Sequence, residues 1–279
     1  MNVENAYVDL PFEKIEYLPD TFPLNIISGG NHLFGYLLKP DGRYGKPNPT
    51  VLMFHGFPGY TTNNDLEYAL MRMGCVVIHV NHRGAWGSEG QYLFTNLKDD
   101  IIAIAKWAHN PAICEEYGID PENIFLVGHS MGGMSVLNAA KELEFIRGVV
   151  AMAAYDMGVV FENGLEKDLF RMIEIEGQCL HMVSASAVYE NAEQNDHTLA
   201  ILNNIERLEK KDVLLVEASM DTIAPPDIML RPAYERLKAY GRISYEVIEG
   251  NHGFAGQRVQ LAKLVGGWIA SKQKDNNEK

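Results

Sequence analysis

One serine of the sequence lies in a pattern that suits a nucleophile. The pentapeptide Gly128–Gly132 reads Gly-His-Ser-Met-Gly, with Ser130 at its centre, between the apolar run Ile124–Val127 and a helix-period segment that starts at Met131. A chain that reverses from strand to helix within one residue strains that residue and leaves no room for side chains two positions away. The sequence therefore predicts a sharp turn that exposes the Ser130 hydroxyl. The competing interpretation is a buried serine in a glycine-rich turn.

A serine nucleophile needs a base that takes its proton and a carboxylate that orients this base. Two loops late in the chain offer these groups. Asp221 follows the apolar run Val213–Glu217, and His252 follows the run Ile243–Ile248. Since both residues come after the serine and each follows a predicted strand, their chain order suits a serine, acid and histidine triad.

Other residues compete for these two roles. Asp156 lies just past the run Gly148–Ala153 and is the alternative acid. His181 and His197 are alternative bases, although a histidine in that region more often has a surface or packing role. The remaining histidines at predicted strand ends are expected to form structural hydrogen bonds; these are His55, His79, His82 and His129.

The oxyanion of a serine reaction needs backbone N–H donors. Met131 opens the helix after the nucleophile, so its N–H is one candidate. The other candidate is the N–H of Phe57 in the loop His55–Gly59, which follows the apolar run Thr50–Phe54 and contains two glycines and a proline. The alternative is that this loop only connects a strand to a helix.

The elements that must position these residues alternate between short β-branched runs and longer helix-period segments. Such alternation is typical of a parallel sheet covered by helices. The predicted strands are Thr50–Phe54, Cys75–Val80, Ile124–Val127, Gly148–Ala153, Val213–Glu217 and Ile243–Ile248. The predicted helices are Leu66–Met73, a segment capped by Asn96 that runs to Ala108, Met131–Leu143, Pro232–Tyr240 and Val259–Ala270. Residues 1–45 suit antiparallel strands at one edge of the sheet.

The stretch from Tyr155 to Lys211 contains no clear strand and is far longer than a usual connection. Its helix-like pieces are Leu165–Ile175, Ser184–Asn191 and Leu199–Leu208. We therefore predict an α/β core at 1–154 and 212–279, with a helical cap insertion at 155–211.

Composition excludes several classes of protein. The 279 residues include 24 basic and 37 acidic side chains, for a net charge of −13. The sequence contains no cluster of basic residues to offset this excess of acidic side chains. Neither nucleic acid nor an anionic membrane is therefore an expected partner. The cysteines Cys75, Cys114 and Cys179 lack the spacing of zinc or redox motifs, so no metal is expected. Met1–Asn5 lacks signal-peptide features, and no long apolar segment follows, which predicts a soluble, cytoplasmic protein.

The order of these motifs resembles that of the α/β-hydrolase superfamily, from about Leu33 to Ala270. The segments that carry the resemblance are His55–Gly59, Asn81–Ser88, Gly128–Gly133, Asp221 with Pro225, and Asn251–Phe254 around His252. Within the superfamily, Asn81–Gly84 and Asn251–Phe254 are most similar to the branch that joins dienelactone-hydrolase-type esterases with serine peptidases of the prolyl-oligopeptidase type. We expect no propeller domain of the kind that those large peptidases contain, which favours small esters or amides.

The resemblance implies a mostly parallel sheet of eight strands and a serine hydrolase that cleaves a carboxylic ester through an acyl-enzyme. Ser130, His252 and Asp221 would form the triad, Phe57 and Met131 would bind the oxyanion, and no cofactor is needed. Two alternatives stay open: an amidase or serine peptidase with the same triad, and a ligand-binding protein without catalysis. The expected partner is a small-molecule ester or amide, and a homo-oligomer is compatible with the sequence.

Further side chains near the expected mouth of the site have two interpretations each. Arg83 is either a clamp for a substrate carboxylate or half of an ion pair that holds loops together. Tyr60, Trp86, Tyr155 and Phe161 either line a substrate pocket or pack in the core and cap.

Overall fold

The computed structural model describes residues 1–274 and contains a single sheet of eight strands. The strands are β1 Asp20–Ser28, β2 Asn31–Lys39, β3 Asn48–Phe54, β4 Val76–Val80, β5 Ile119–His129, β6 Gly148–Met152, β7 Asp212–Ala218 and β8 Ile243–Ile248. Their order across the sheet is β1-β2-β4-β3-β5-β6-β7-β8. β1, β2 and β4 pair antiparallel, whereas all pairs from β4 through β3 to β8 are parallel. The predicted mostly parallel sheet with an antiparallel edge is thus confirmed.

Helices cover both faces of this sheet. They are α1 Asn64–Arg72, α2 Phe94–Ala108, α3 Pro111–Tyr117, α4 Met131–Ala140, α5 Met157–Glu162, α6 Glu166–Glu176, α7 Ala185–Gln194, α8 Asp196–Leu199, α9 Arg231–Leu237 and α10 Arg258–Lys272. Short 3-10 helices span Val3–Tyr7, Gly42–Tyr44, Gly177–Cys179, Ile205–Leu208 and Lys238–Tyr240. Within residues 1–274, no helix is long and apolar enough to cross a membrane.

The core is divided by the sheet into two apolar layers. Along β3, Leu52 and Phe54 belong to the layer under α2 and α4, whereas Val51 and Met53 belong to the layer under α1 and α10. Every residue of β3 is buried. Burial on both faces explains why the central strands read as continuous apolar runs in the sequence.

Two local predictions are wrong. Helix α2 begins at Phe94 and not after Asn96, whose side-chain amide instead donates to the Gln91 carbonyl. Phe94 is fully buried, so its burial in the core sets the start of the helix in place of a polar cap. The predicted helix Leu199–Leu208 is also absent, because α8 ends at Leu199 and Asn204 has a positive φ of 52° before a short 3-10 helix.

The segment between β6 and β7 contains α5, α6, α7 and α8 and, within the described chain, no strand. Its buried residues Val160, Leu169 and Val188 belong to the same apolar layer as Leu215 of the sheet. It therefore packs onto the sheet through a shared core. The division into a core and a cap at 155–211 stays a prediction.

Candidate active site

The turn between β5 and α4 holds Ser130 in a strained conformation, with φ of 56° and ψ of −122°. A Cβ atom on Gly128 would lie 2.3 Å from the carbonyl oxygen of Gly132. One on Gly132 would lie 2.5 Å from the carbonyl oxygen of His55. Both distances are far below van der Waals contact, so this turn requires glycine at both positions. The sequence folds here as its glycine spacing predicts.

Ser130 is anchored by its backbone, whereas its hydroxyl is unengaged. Its N–H donates to the Met152 carbonyl at 2.9 Å, and its own carbonyl accepts from the Tyr155 N–H at 3.1 Å. Among residues 1–274, the Ser130 hydroxyl forms no hydrogen bond, and it lines a cavity together with His252.

Asp221 and His252 form a hydrogen-bonded pair, in which His252 Nδ1–H donates to Asp221 Oδ2 at 2.7 Å. The other carboxylate oxygen accepts from the N–H groups of Ile223 and Ala224, both at 2.8 Å. Asp221 is buried, and its carboxylate accepts hydrogen bonds from these three donors. This arrangement fixes the imidazole orientation and leaves Nε2 free to exchange a proton.

The loops that carry this pair are tied to each other. The Ser219 N–H donates to the Ile248 carbonyl at 2.9 Å, and the Met220 N–H donates to the Gly250 carbonyl at 2.9 Å. These bonds extend the β7–β8 pairing past the strand ends. Adjacent parallel strands therefore bring the acid and the histidine side by side.

The His129 side chain holds the loop that carries His252. Its Nε2–H donates to the main-chain oxygen of His252 at 2.8 Å, and the two rings lie 4.8 Å apart. Burial, with a smaller contribution from the His252 charge, lowers the pKa of His129 to about 3. Its ring is therefore neutral at physiological pH and has a structural hydrogen-bonding role.

The alternative acid and bases lie elsewhere. Asp156 Oδ1 accepts from the N–H groups of Gly158 and Ile201, both at 3.0 Å, and so caps α5. His181 and His197 are exposed and lie outside the lining of the cavity. None of these three alternative residues contacts the pair formed by Asp221 and His252.

The two proposed oxyanion donors flank the serine. Phe57 and Met131 both line the cavity, and Met131 is the first residue of α4. A Cβ on Gly56 would lie 2.7 Å from Ser130 Cβ, so the backbone before Phe57 passes directly against Ser130. His55 Nδ1–H donates to the Gly56 carbonyl at 2.7 Å and holds this loop.

The cavity has a volume of about 370 Å³. Of the aromatic residues considered from the sequence, Tyr60 and Tyr155 line it. Trp86 and Phe161 do not; Trp86 Nε1–H donates to the Pro58 carbonyl at 2.8 Å, and Phe161 packs near the Tyr189 ring. The cavity wall thus includes only part of the predicted aromatic set.

Arg83 is engaged in an ion pair. Its Nε–H donates to Asp100 Oδ1 at 2.6 Å, and its backbone N–H donates to the other oxygen at 2.9 Å. Asp100 is fully buried and also accepts from the Ser28 hydroxyl. The geometry therefore favours the loop-holding interpretation of Arg83 over the substrate clamp.

Two acidic residues of the cavity, Asp168 and Glu176 of α6, were missed from the sequence. Together with Met172 they are spaced by four residues, which places all three on one helix face. That spacing was visible in the sequence, but it does not tell which face of the helix points to the serine. Within residues 1–274, no group of three or more His, Cys, Asp or Glu residues is arranged to hold a metal ion.

Comparison with known families matches residues 49–173 to the model of the α/β hydrolase fold. This match covers β3 through α6 and includes the Ser130 turn, and the eight-stranded sheet around it has the corresponding architecture. The chain has the α/β-hydrolase fold. The curated proteins contain no significant sequence match to it.

Solved structures with the α/β-hydrolase fold resemble the whole chain. Brefeldin A esterase, a bacterial homologue of human hormone-sensitive lipase, aligns with a TM-score of 0.68 at 17% identity, covering 96% of this chain and 81% of its own. Est1E from Butyrivibrio proteoclasticus with ferulic acid bound aligns with a TM-score of 0.65 at 17% identity, covering 89% and 98%.

A peptidase with the α/β-hydrolase fold is equally similar. The acylaminoacyl peptidase of Pyrococcus horikoshii aligns with a TM-score of 0.65 at 18% identity, covering 96% of this chain. The chain spans only 44% of that peptidase. At such identities the likeness establishes the fold alone.

Proposed function

We propose that this chain is a serine hydrolase that cleaves a carboxylic ester through an acyl-enzyme. The observation that carries the proposal is one cavity that contains Ser130 on a strained turn and His252 paired with Asp221. Esterases among the structures that share the fold support the same conclusion.

In the proposed reaction, Ser130 Oγ attacks the ester carbonyl carbon while His252 Nε2 takes the hydroxyl proton. Asp221 keeps the proton on Nδ1 and stabilises the imidazolium that forms. The tetrahedral oxyanion accepts hydrogen bonds from the N–H groups of Phe57 and Met131. His252 then gives its proton to the leaving alcohol, and water, activated by the same imidazole, releases the acid from Ser130.

The amide alternative uses the same residues and differs in the leaving group. The Pyrococcus horikoshii peptidase supports it, although this chain matches less than half of that protein. Turnover of an ester and an anilide with the same acyl group separates the two functions. We expect kcat/KM for the ester to exceed that for the anilide by several orders of magnitude.

An active-site-directed alkyl phosphonate tests the proposal directly. We expect one phosphonyl adduct on the peptide that contains Ser130, and none on the Ser130→Ala variant, which should also lose ester turnover by several orders of magnitude. Ser135→Ala is the matched control and should still be labelled, because the buried Ser135 hydroxyl donates to the Met131 carbonyl within α4. Labelling that persists in Ser130→Ala, or absence of labelling in the wild type, would contradict the proposal and favour a ligand-binding protein.

A further inference from the structure

The cavity around Ser130 carries negative side chains on one wall. Helix α6 contributes Asp168, Met172 and Glu176 from one face, and the loop after β7 also lines the cavity. Among the lining residues in the described part of the chain, there is no lysine and no arginine. A ligand at Ser130 therefore lies in a cavity lined by two carboxylates and, among the described residues, by no fixed positive side chain.

The two carboxylates differ in their partners. Glu176 Oε2 accepts a hydrogen bond from the Tyr60 hydroxyl at 2.9 Å, which joins α6 to the loop after β3. The Asp168 carboxylate has neither a hydrogen bond nor an ion pair within residues 1–274. Its charge adds to burial in raising the pKa of Tyr155, another lining residue, to about 12. The field of Asp168 therefore acts inside the cavity.

Asp168 is exposed and Glu176 is half-buried, so both attract a cation and repel an anion through an interaction that water and salt screen in part. Tyr60 and Tyr155 also line the cavity, and aromatic rings of this kind bind alkylammonium groups. Apolar side chains of Met172, Ile223 and Ile228 complete the lining and suit the methyl or methylene groups around such a cation.

We propose that the cavity takes esters that carry an ammonium group, which Asp168 and Glu176 bind, and that it rejects esters that carry a carboxylate. Asp168 and Glu176 are then residues that determine specificity. This inference rests on the proposed ester hydrolysis, since Ser130 and His252 are what make the cavity a substrate site.

The test uses p-nitrophenyl esters whose acyl chains have one length and end in trimethylammonium, in tert-butyl or in carboxylate. The first two groups are nearly identical in shape, so their ratio of kcat/KM reports charge alone. Butyrylthiocholine and its tert-butyl analogue place the same two groups on the leaving side. We expect a preference of about tenfold for the cation in at least one series, and the lowest kcat/KM for the carboxylate ester. The preference should shrink at high salt.

Variants locate the preference. Asp168→Asn with Glu176→Gln should lower the ratio of cationic to neutral ester by about tenfold. Glu174→Gln is the matched control, because Glu174 is exposed on α6 outside the cavity lining, and it should leave the ratio unchanged. If the double variant does not fold, the wild-type ratios and their salt dependence still decide.

Two kinds of failure are distinguishable. Hydrolysis of the neutral ester with equal kcat/KM for cationic and neutral esters in both series would overturn this inference and leave the proposed hydrolase intact. The absence of any hydrolysis, together with no phosphonate labelling of Ser130, would overturn the proposed function itself. A shift of the ratio in Glu174→Gln as large as in the double variant would assign the preference to net charge and not to the cavity.

Discussion

His129 and His252 are joined by a hydrogen bond in which the ring of one holds the main chain of the other. His129 Nε2–H donates to the His252 carbonyl oxygen at 2.8 Å. His129 directly precedes Ser130 in sequence. The residue beside the proposed nucleophile thus holds the backbone of the proposed base.

Loss of this bond should affect catalysis more than binding. We expect His129→Phe to lower kcat about tenfold with little change in KM, because the His252 carbonyl loses the hydrogen bond from the His129 ring. His129→Gln should recover much of the loss, since its side-chain amide can also donate. Steady-state kinetics on a neutral ester measures both. Wild-type kcat in the phenylalanine variant would refute the positioning role.

The two candidate acids predict opposite kinetic results. Asp221→Asn should lower kcat by roughly 10³ to 10⁴, because the amide no longer holds the proton on His252 Nδ1. Asp156→Asn should cost less than about tenfold, since Asp156 caps α5 and does not contact His252. Circular dichroism checks that both variants are folded. The reverse order of activities would assign the acid to the loop after β6.

Asp156 should make the free energy of unfolding depend on pH. Burial, the largest cause, raises its pKa to about 6, against an ordinary value of 3.8. The stability gained by protonated Asp156 is therefore fully present below about pH 3.8 and is lost as pH rises through about 6. Asp156→Asn lacks this loss, so between pH 4 and pH 7 the free energy of unfolding of the variant should rise relative to that of the wild type by roughly 2 kcal/mol. Urea unfolding at several pH values measures the difference, with the exposed Asp99→Asn as control.

Gly56 should be intolerant of any side chain. A Cβ there would lie 2.7 Å from Ser130 Cβ and 3.0 Å from the His129 carbonyl oxygen, so the nucleophile or the oxyanion loop must move. We expect Gly56→Ala to lower kcat/KM by about a hundredfold. Gly256→Ala is the control, since an added Cβ there meets no atom within 4 Å. Activity near the wild-type level in Gly56→Ala would show that the loop adapts without displacing Ser130.

The sequence predicted the strands and the positions of the site loops better than the helix ends. Ser130, Asp221 and His252 each follow a strand, and parallel strands deliver their carboxyl ends to the same edge of a sheet. The predicted helix Leu199–Leu208 failed because the Ile201 N–H is bonded to Asp156, 45 residues earlier. Such a long-range contact leaves no trace in local periodicity.

Other differences from the predicted fold have local causes. Helix α3 escaped prediction, although Asn110 before Pro111 is a helix-start signal, and the Asn110 side chain does accept from the Ala112 N–H. The start of α2 was misplaced because burial of Phe94 outweighs the capping tendency of Asn96. Which face of α6 lines the cavity depends on how the whole segment between β6 and β7 packs. No short sequence pattern encodes that packing.

The point at which that segment joins the sheet has an evolutionary consequence. It leaves after β6 and returns before β7, two neighbouring strands whose pairing from Gly148 with Asp212 to Met152 with Val216 is unbroken. Insertions or deletions in α5 to α8 can therefore change what reaches Ser130 without shifting the register of any strand. Segments of different length between β6 and β7 can therefore be exchanged on the same sheet, because the strand pairing on which Ser130, Asp221 and His252 depend stays as it is.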